Sequence, residues 1–594
     1  MDNRPCSLFL AFFFLFCVLL PTRAGIIYVN GNGATPPYTG QSWDHAFINI
    51  QDGINAAVAD DEVWVAYGHY IERITLKNSV RVYGGFAGVE TSRAQRPPFP
   101  RVSPDPYETR IDANKAGGTV TANNIIGAVL DGFTVEGANS SGGIVMSSSS
   151  TTITNCHITG NQGAGIIGGG NGPDRKPLVT ANTIDYNYIG IQACYYGAIT
   201  GNTISHNDGD GLLTCYYAAV TGNTISHNNG DGLKSCSPAT ISTNSISHNV
   251  SDGMQLCDNA VGSGNTISFN GQYGINSCAG AVLTSTVISD NTLGATYGRL
   301  SLISCLVTRN GGGLLSFNAD GVAKVVNCTI AANTGDGLAF TGNGIFINNI
   351  IAFNKRGLVR TSGATLPSFS YNDVYGNITD TTAYDYVGLA DQTGNAGNIK
   401  EDPLFANRAS GDFHLTGGPC VNTGDNNAVN TGDVDLDNAP RIQNGIVDMG
   451  CYETGNVTLP LSLFFSVQPG GGTAPVRLNP QPVVRVQDAT GALVSHTGSI
   501  TLSIKTGTGP AGATLLGTTT MPIINGRAVF WNLAVNKPGA GYVLTAVSDG
   551  LPSVDSQPFS TAANPWCDLN RDGLFTLADI TYALRVWAGL DQPT

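Results

Sequence analysis

The sequence predicts an all-β protein whose middle winds as a right-handed, single-stranded parallel β-helix. Three observations carry that prediction. The first is a repeat. The Asn that closes each "TISHN"-like unit falls at Asn187, Asn207, Asn228, Asn249, Asn270, Asn291, Asn310, Asn333 and Asn354, at steps of 20, 21, 21, 21, 21, 19, 23 and 21 residues. Periods near 20 mark a solenoid. The second is composition: 76 glycines and only 12% charged residues suit short strands and tight turns, not helices. The third is the sparse apolar pattern, Ile204 with Leu212, Ile225 with Leu233, Ile246 with Met254 and Ile267 with Ile275. Such strands bury nothing alone, but coils stacked about 4.8 Å apart share one interior. A leucine-rich horseshoe needs more leucine and a helical return stretch, and these units have neither.

The elements follow in chain order. Arg4, the apolar run Leu8 to Leu20 and the small residues Thr22 and Ala24 have the layout of a secretory signal over residues 1–24. That run is short for a membrane span, and no later segment approaches the length required. Of 13 cysteines, Cys6 and Cys17 lie in the signal, leaving an odd eleven for a compartment that permits disulfides. Residues 25–115 read as the entrance to the solenoid. Trp43, Phe47, Ile50, Ile54 and Ala57 stand at helical spacing, an amphipathic cap for its open end, and three short strands follow.

The central repeats, 116–360, place like residues over like. Asn182, Asn202, Asn223, Asn244 and Asn265 form one predicted ladder, with Cys156, Cys305 and Cys328 taking its place in other coils. Cys194, Cys215, Cys236, Cys257 and Cys278 form another, spaced by 21 throughout. Asn ladders satisfy backbone groups at bends. The cysteines read as small buried bend residues, although the coil spacing also falls within disulfide range.

From 457 to 561 the texture changes to alternating strands between turns, predicting an immunoglobulin-like β-sandwich. In the tail, 562–594, "DLNRDGLFTLAD" sets Asp568, Asn570 and Asp572 at loop positions 1, 3 and 5, with Gly573 at 6, Leu574 at 7, Thr576 at 9 and Asp579 at 12. That is an EF-hand ligand set, and it predicts calcium. In "GDVDLDNAPR", Asp433, Asp435 and Asp437 at alternate positions read either as a second calcium loop or as a structural turn.

Two resemblances add to this. The run "YVNGNG…SWDHAFINIQDGI…DEVWVAYGHYIERITL…VRVYGGFAGVET" resembles the start of secreted, pectate-lyase-like β-helix proteins of bacteria. "NIKEDPLF", "DFHLTGGPCVNTGD" and "DVDLDNAPRIQNGIVDMGCYE" resemble their closing coils. The resemblance implies a solenoid reaching through 361–456 and a function among lyases, glycosidases, epimerases and proteins without known activity. Asp at position 12 of the tail loop resembles a dockerin, which implies a cohesin-like partner; dockerins carry two such loops, and one is present in this sequence.

A formal charge of −14 argues against nucleic acid, whose phosphates need clustered Lys and Arg. The candidate catalytic residues are Asp210, Asp231 and Asp252, stacked in consecutive coils, with Lys234. Carboxyls one or two rungs apart suit glycoside hydrolysis, and carboxylates holding calcium beside a lysine suit a polysaccharide lyase. Asp-Gly is also ordinary turn chemistry. Tyr195, Tyr196, Tyr216 and Tyr217 offer flat faces for sugar rings. His206, His227 and His248, continued by Tyr186 and Phe269, read as rings stacked in or near the core, with a zinc row as the alternative. The leading expectation is a secreted, carbohydrate-directed protein that degrades a polysaccharide. The alternative is a non-catalytic surface, adhesion or polysaccharide-binding protein that uses the solenoid as a rod.

Overall fold

The computed structural model describes residues 24–563, apart from 100–104, 171, 316–322, 342–343, 362–367, 380–381, 444, 455–461, 488–492, 494–495, 497 and 525, together with 581, 582 and 585. Residues 1–23 and the predicted calcium loop at 568–579 lie outside the described residues. Three parallel sheets of 15, 14 and 14 strands run the length of a β-helix, each coil adding one strand to each.

One coil shows why. Ala198–Thr200, Thr203–Ser205 and Leu212–Leu213 enter the first, second and third sheets, and Ala219–Thr221 re-enters the first one level on. The register places Ile199 over Val220, Ile204 over Ile225 and Leu212 over Leu233. Those side chains point inward and are fully buried, while their Thr and Ser neighbours point out. A left-handed residue makes each corner: Gly201, His206 and Thr214 have φ of +64°, +55° and +54°. The reversal turns the next side chain inward, so Asn202, Asn207 and Cys215 are buried.

The asparagines then bond along the stack. Asn202 donates both its backbone N–H and its Nδ2 to Asn223 Oδ1 at 2.9 Å, and a second Nδ2 hydrogen goes to the Val179 carbonyl at 2.9 Å. Corner groups that no strand could pair are thereby satisfied. Cys156 takes its predicted place, its N–H donating to Asn182 Oδ1 at 2.9 Å. The described cysteines of the two ladders, with Cys420 and Cys451, are buried free thiols.

Two expectations are corrected. The cap helix spans only Ile50–Ala56. Residue 47 bridges to Val29 in parallel, with Phe47 N donating to the Tyr28 carbonyl at 2.9 Å, so strand pairing outcompetes helical spacing there. Trp43 instead packs on Tyr28 and Phe86, with ring centroids 4.8 and 5.8 Å apart. The solenoid strands end at Tyr386–Val387. The expected closing coils hold as far as Ile399, which bridges Asp373 in parallel while Asn398 Oδ1 accepts the Asn372 N–H at 3.0 Å. Beyond it the described residues of 400–454 form a wrap of turns and one antiparallel hairpin, Phe405–Asn407 with Asp412–Leu415. Leu415, Cys420 and Met449 pack on Ile350 and Ala352, and Phe413 and Cys451 pack on Leu306 and Ala331. All four solenoid residues belong to second-sheet strands, whose later coils therefore carry apolar side chains outward. Residues 462–563 form small, mostly antiparallel sheets round a separate core that includes Phe465, Val486, Leu502, Phe530 and Tyr542.

Candidate functional site

The structure brings Asp210, Asp231, Asp252 and Lys234 together at the bend before the third sheet. Each carboxylate gives Oδ1 to the backbone N–H one coil on: Asp231 at 2.8 Å, Asp252 at 2.9 Å and Tyr273 at 2.8 Å. Lys234 Nζ donates to Asp231 Oδ2 at 2.9 Å, while Gln255 and Asn276 donate to Asp252 Oδ2 at 2.9 and 2.8 Å. Burial pushes the Asp210 and Asp252 carboxyls above their ordinary range. Burial alone would lower Lys234, but the bond and charge of Asp231 outweigh it, and the ammonium is stabilised. Asp231 and Asp252 are 1% and 0% exposed, so only Asp210 and Lys234 reach solvent.

Tyr195 stacks on Tyr216 at 5.5 Å and Tyr196 on Tyr217 at 4.9 Å, both pairs within 6° of parallel. Each ring covers a face of its partner, and stacking leaves edges and end faces for a ligand. The column from Tyr186 through His206, His227 and His248 to Phe269 is stacked at 5.5, 5.1, 4.9 and 5.0 Å. It lies outside, not in or near the core, with all five residues exposed. The reason is the left-handed corner: the residue that makes it faces solvent, and the Asn that follows faces in. Partial burial, then the charges of His248 and His206, lower the pKa of His227. Asp433, Asp435 and Asp437 diverge. Asp435 is buried and bonds the N–H groups of Asp437, Ala439 and Glu453, while Asp437 pairs with His414 and Asp433 with Asn430. They build a structural turn.

A further cluster escaped the sequence reading. It occupies the outer face of the second sheet in the first coils. In the central coils the two outward positions are Thr203 and Ser205, Thr224 and Ser226, and Thr266 and Ser268. In the first coils they are Arg110 and Asp112, Thr134 and Glu136, His157 and Thr159, and Thr183 and Asp185. The ionisable groups pair diagonally, one coil to the next. His69 Nε2 meets Asp112 Oδ2 at 3.2 Å, Arg110 meets Glu136 at 3.2 Å, and His157 Nε2 meets Asp185 Oδ1 at 2.8 Å. Glu108 holds the other side of Arg110 at 2.9 Å and accepts the Thr134 hydroxyl at 2.7 Å. Burial would lower Arg110, but Glu108 and Glu136 outweigh it and keep it firmly charged. Beside these groups opens a cavity of about 320 Å³, lined by Phe99, Asp105, Glu108, Arg110, Asn155 and His157 among others. The signal was legible: charge is scarce in this chain, and these coils break the Thr-Ile-Ser pattern with it.

A family model described as "Right handed beta helix region" matches residues 110–239, the coils that begin at this cluster. No curated protein matches the chain. Among solved structures it is similar to pectate lyase Pel9A, at 13% identity over 72% of this chain and 96% of that one, with a TM-score of 0.33. It is also similar to the A-module of mannuronan C-5 epimerase AlgE4 from Azotobacter vinelandii, at 12% identity over 58% and 100%, with a TM-score of 0.30. The Dettilon tailspike protein matches at 11% identity over 90% and 91%, with a TM-score of 0.31. The strand pairing and the matching family model agree on a right-handed parallel β-helix.

Proposed function

We propose that this is a secreted, carbohydrate-directed β-helix protein whose first coils take a polysaccharide along the outer face of the second sheet. One observation carries the reading: on a sheet face whose central coils present Thr and Ser, a permanent cation, flanking carboxylates and a histidine meet at a groove in the first coils. Arg110 would receive a uronate carboxylate or developing negative charge, and Glu108 and His157 are the groups placed to move protons. The column of Asp210, Asp231, Asp252 and Lys234, and the pairs Tyr195 with Tyr216 and Tyr196 with Tyr217, are the second place this reading is tested. Residues 462–563 serve as an immunoglobulin-like spacer in this proposal. The loop at Asp568, Asn570, Asp572, Leu574, Thr576 and Asp579 binds calcium and offers a dockerin-like attachment to a cohesin-like partner.

The direct test incubates the full chain with acidic and neutral polysaccharides, with and without calcium, following unsaturated uronate absorbance and reducing ends. Turnover is expected, falling about a hundredfold or more in Arg110→Ala and Glu108→Gln and surviving in Asp231→Asn. No product from any polymer favours the second reading, a non-catalytic adhesion or binding rod. The backbone-bonded Asp column, whose role within the stack is already structural, speaks for that reading.

A further inference from the structure

The same face holds a second set of groups, which shares with the carbohydrate reading only Glu136, a flanking carboxylate of Arg110. His69, Asp112 and Glu136 come from three successive coils, and one ligand atom from each lies within 4.8 Å of the others. We propose that these three side chains form a binding site for a zinc-class divalent ion, open to solvent on its remaining side.

The chemistry follows from the donors. A tetrahedral zinc shell with bonds near 2.0 Å sets its ligand atoms about 3.3 Å apart, and His69 Nε2 already stands 3.2 Å from Asp112 Oδ2. An imidazole with two carboxylates suits zinc and its neighbours. Calcium prefers six to eight oxygens, and an imidazole is a poor partner for it. Asp112 and Glu136 are register neighbours, two carboxylates about one rung apart. A cation between them relieves their repulsion. Arg110 does so only in part, because Glu108 shares it.

The ligands are also held in place. Asp112 gives Oδ1 to the Asn114 N–H at 2.7 Å, which leaves Oδ2 turned to His69. Gly137 packs so closely there that a Cβ would fall 1.8 Å from Oδ1. Glu136 gives Oε1 to Arg110 and keeps its other oxygen available. His69 is 48% exposed, so an ion and its remaining ligands have access. The molecule supplies its own control: His157 and Asp185 repeat the diagonal pair at 2.8 Å, but the register neighbour of Asp185 is Ser205, and among the described residues no third carboxylate completes the set. The zinc site stands whether or not a polymer binds beside it.

The experiment titrates the chelator-stripped full chain with Zn²⁺ against a chromophoric competitor, then repeats it with Co²⁺ and reads the visible d–d bands. His206→Gln, His227→Gln and His248→Gln are combined in one background, because the exposed histidine column is a rival binder. One equivalent of Zn²⁺ is expected to persist in that background and to survive excess Ca²⁺. His69→Gln, an exposed change whose folding is checked by thermal unfolding, should weaken binding by about tenfold or more and collapse the cobalt bands. His157→Gln should do neither. No Zn²⁺ bound in the histidine-column background, or binding indifferent to His69→Gln, overturns the proposal.

Discussion

Asn223 stands for the asparagine columns. Its Oδ1 accepts the Asn202 N–H and Nδ2, and its Nδ2 donates to the Ile199 carbonyl at 2.8 Å. Asn223→Ala strands several buried polar groups at once, at a cost of about 3 kcal/mol or more. Denaturant unfolding should show the midpoint fall with little change of slope. His414 gives a pH prediction of known sign. It lies between Asp412 and Asp437, 2.6 Å from each, and stacks on Tyr452 at 3.9 Å. Burial alone would lower its pKa, but the two carboxylates raise it to about 9. The stabilisation is therefore complete below the ordinary imidazole value, near 6.5, and is lost as pH rises through about 9. The gap in melting temperature between the parent and His414→Gln should be widest at pH 6 and close above pH 9. At this scale the sequence told which residues stack but not which way they face. A spacing of 21 aligned His206 with His227 as surely as Asn207 with Asn228, yet one column is solvated and the other buried. The left-handed turn between them decides it, and period alone does not reveal a dihedral.

Each strand of the solenoid is too short to stand alone, so the approach of one coil to the next sets what it tolerates. A Cβ on Gly232 would meet the Gly253 carbonyl oxygen and Ile246 Cγ2, both at 2.6 Å. At Gly201 nothing lies within 4 Å, and only the left-handed φ resists a side chain. Gly232→Ala should cost about 3 kcal/mol through overpacking, and Gly201→Ala about 1 kcal/mol, read from unfolding midpoints. Ala181 already occupies the equivalent left-handed corner one coil earlier. The repeating unit and its parallel stacking were legible because apolar positions and a corner Asn or Cys recur at a fixed spacing. That each coil feeds three sheets was not, and Gly262 takes an inward first-sheet position in line with Leu283. The wrap over 400–454 was not legible either, since its turns obey no period and its apolar residues answer outward positions of coils far back in the chain.

At the scale of the whole molecule, the β-helix is graded along its length. The outer face of its second sheet is ionisable in the first coils, Thr and Ser in the middle, and apolar under the wrap toward the far end. Among the described residues no helix is long and apolar enough to cross a membrane. The apolar departures are answered by the wrap that covers them, whereas the ionisable ones of the first coils stand beside an open cavity, and the proposed function rests on that difference. Hydrogen exchange read by mass spectrometry, with and without a polysaccharide the protein retains, tests this most directly. Protection is predicted on peptides that carry Glu108 to Asp112, Thr134 to Glu136 and His157. Protection confined to Tyr195 to Tyr217 or to the column from Asp210 to Asp252, with the first coils unchanged, contradicts the account.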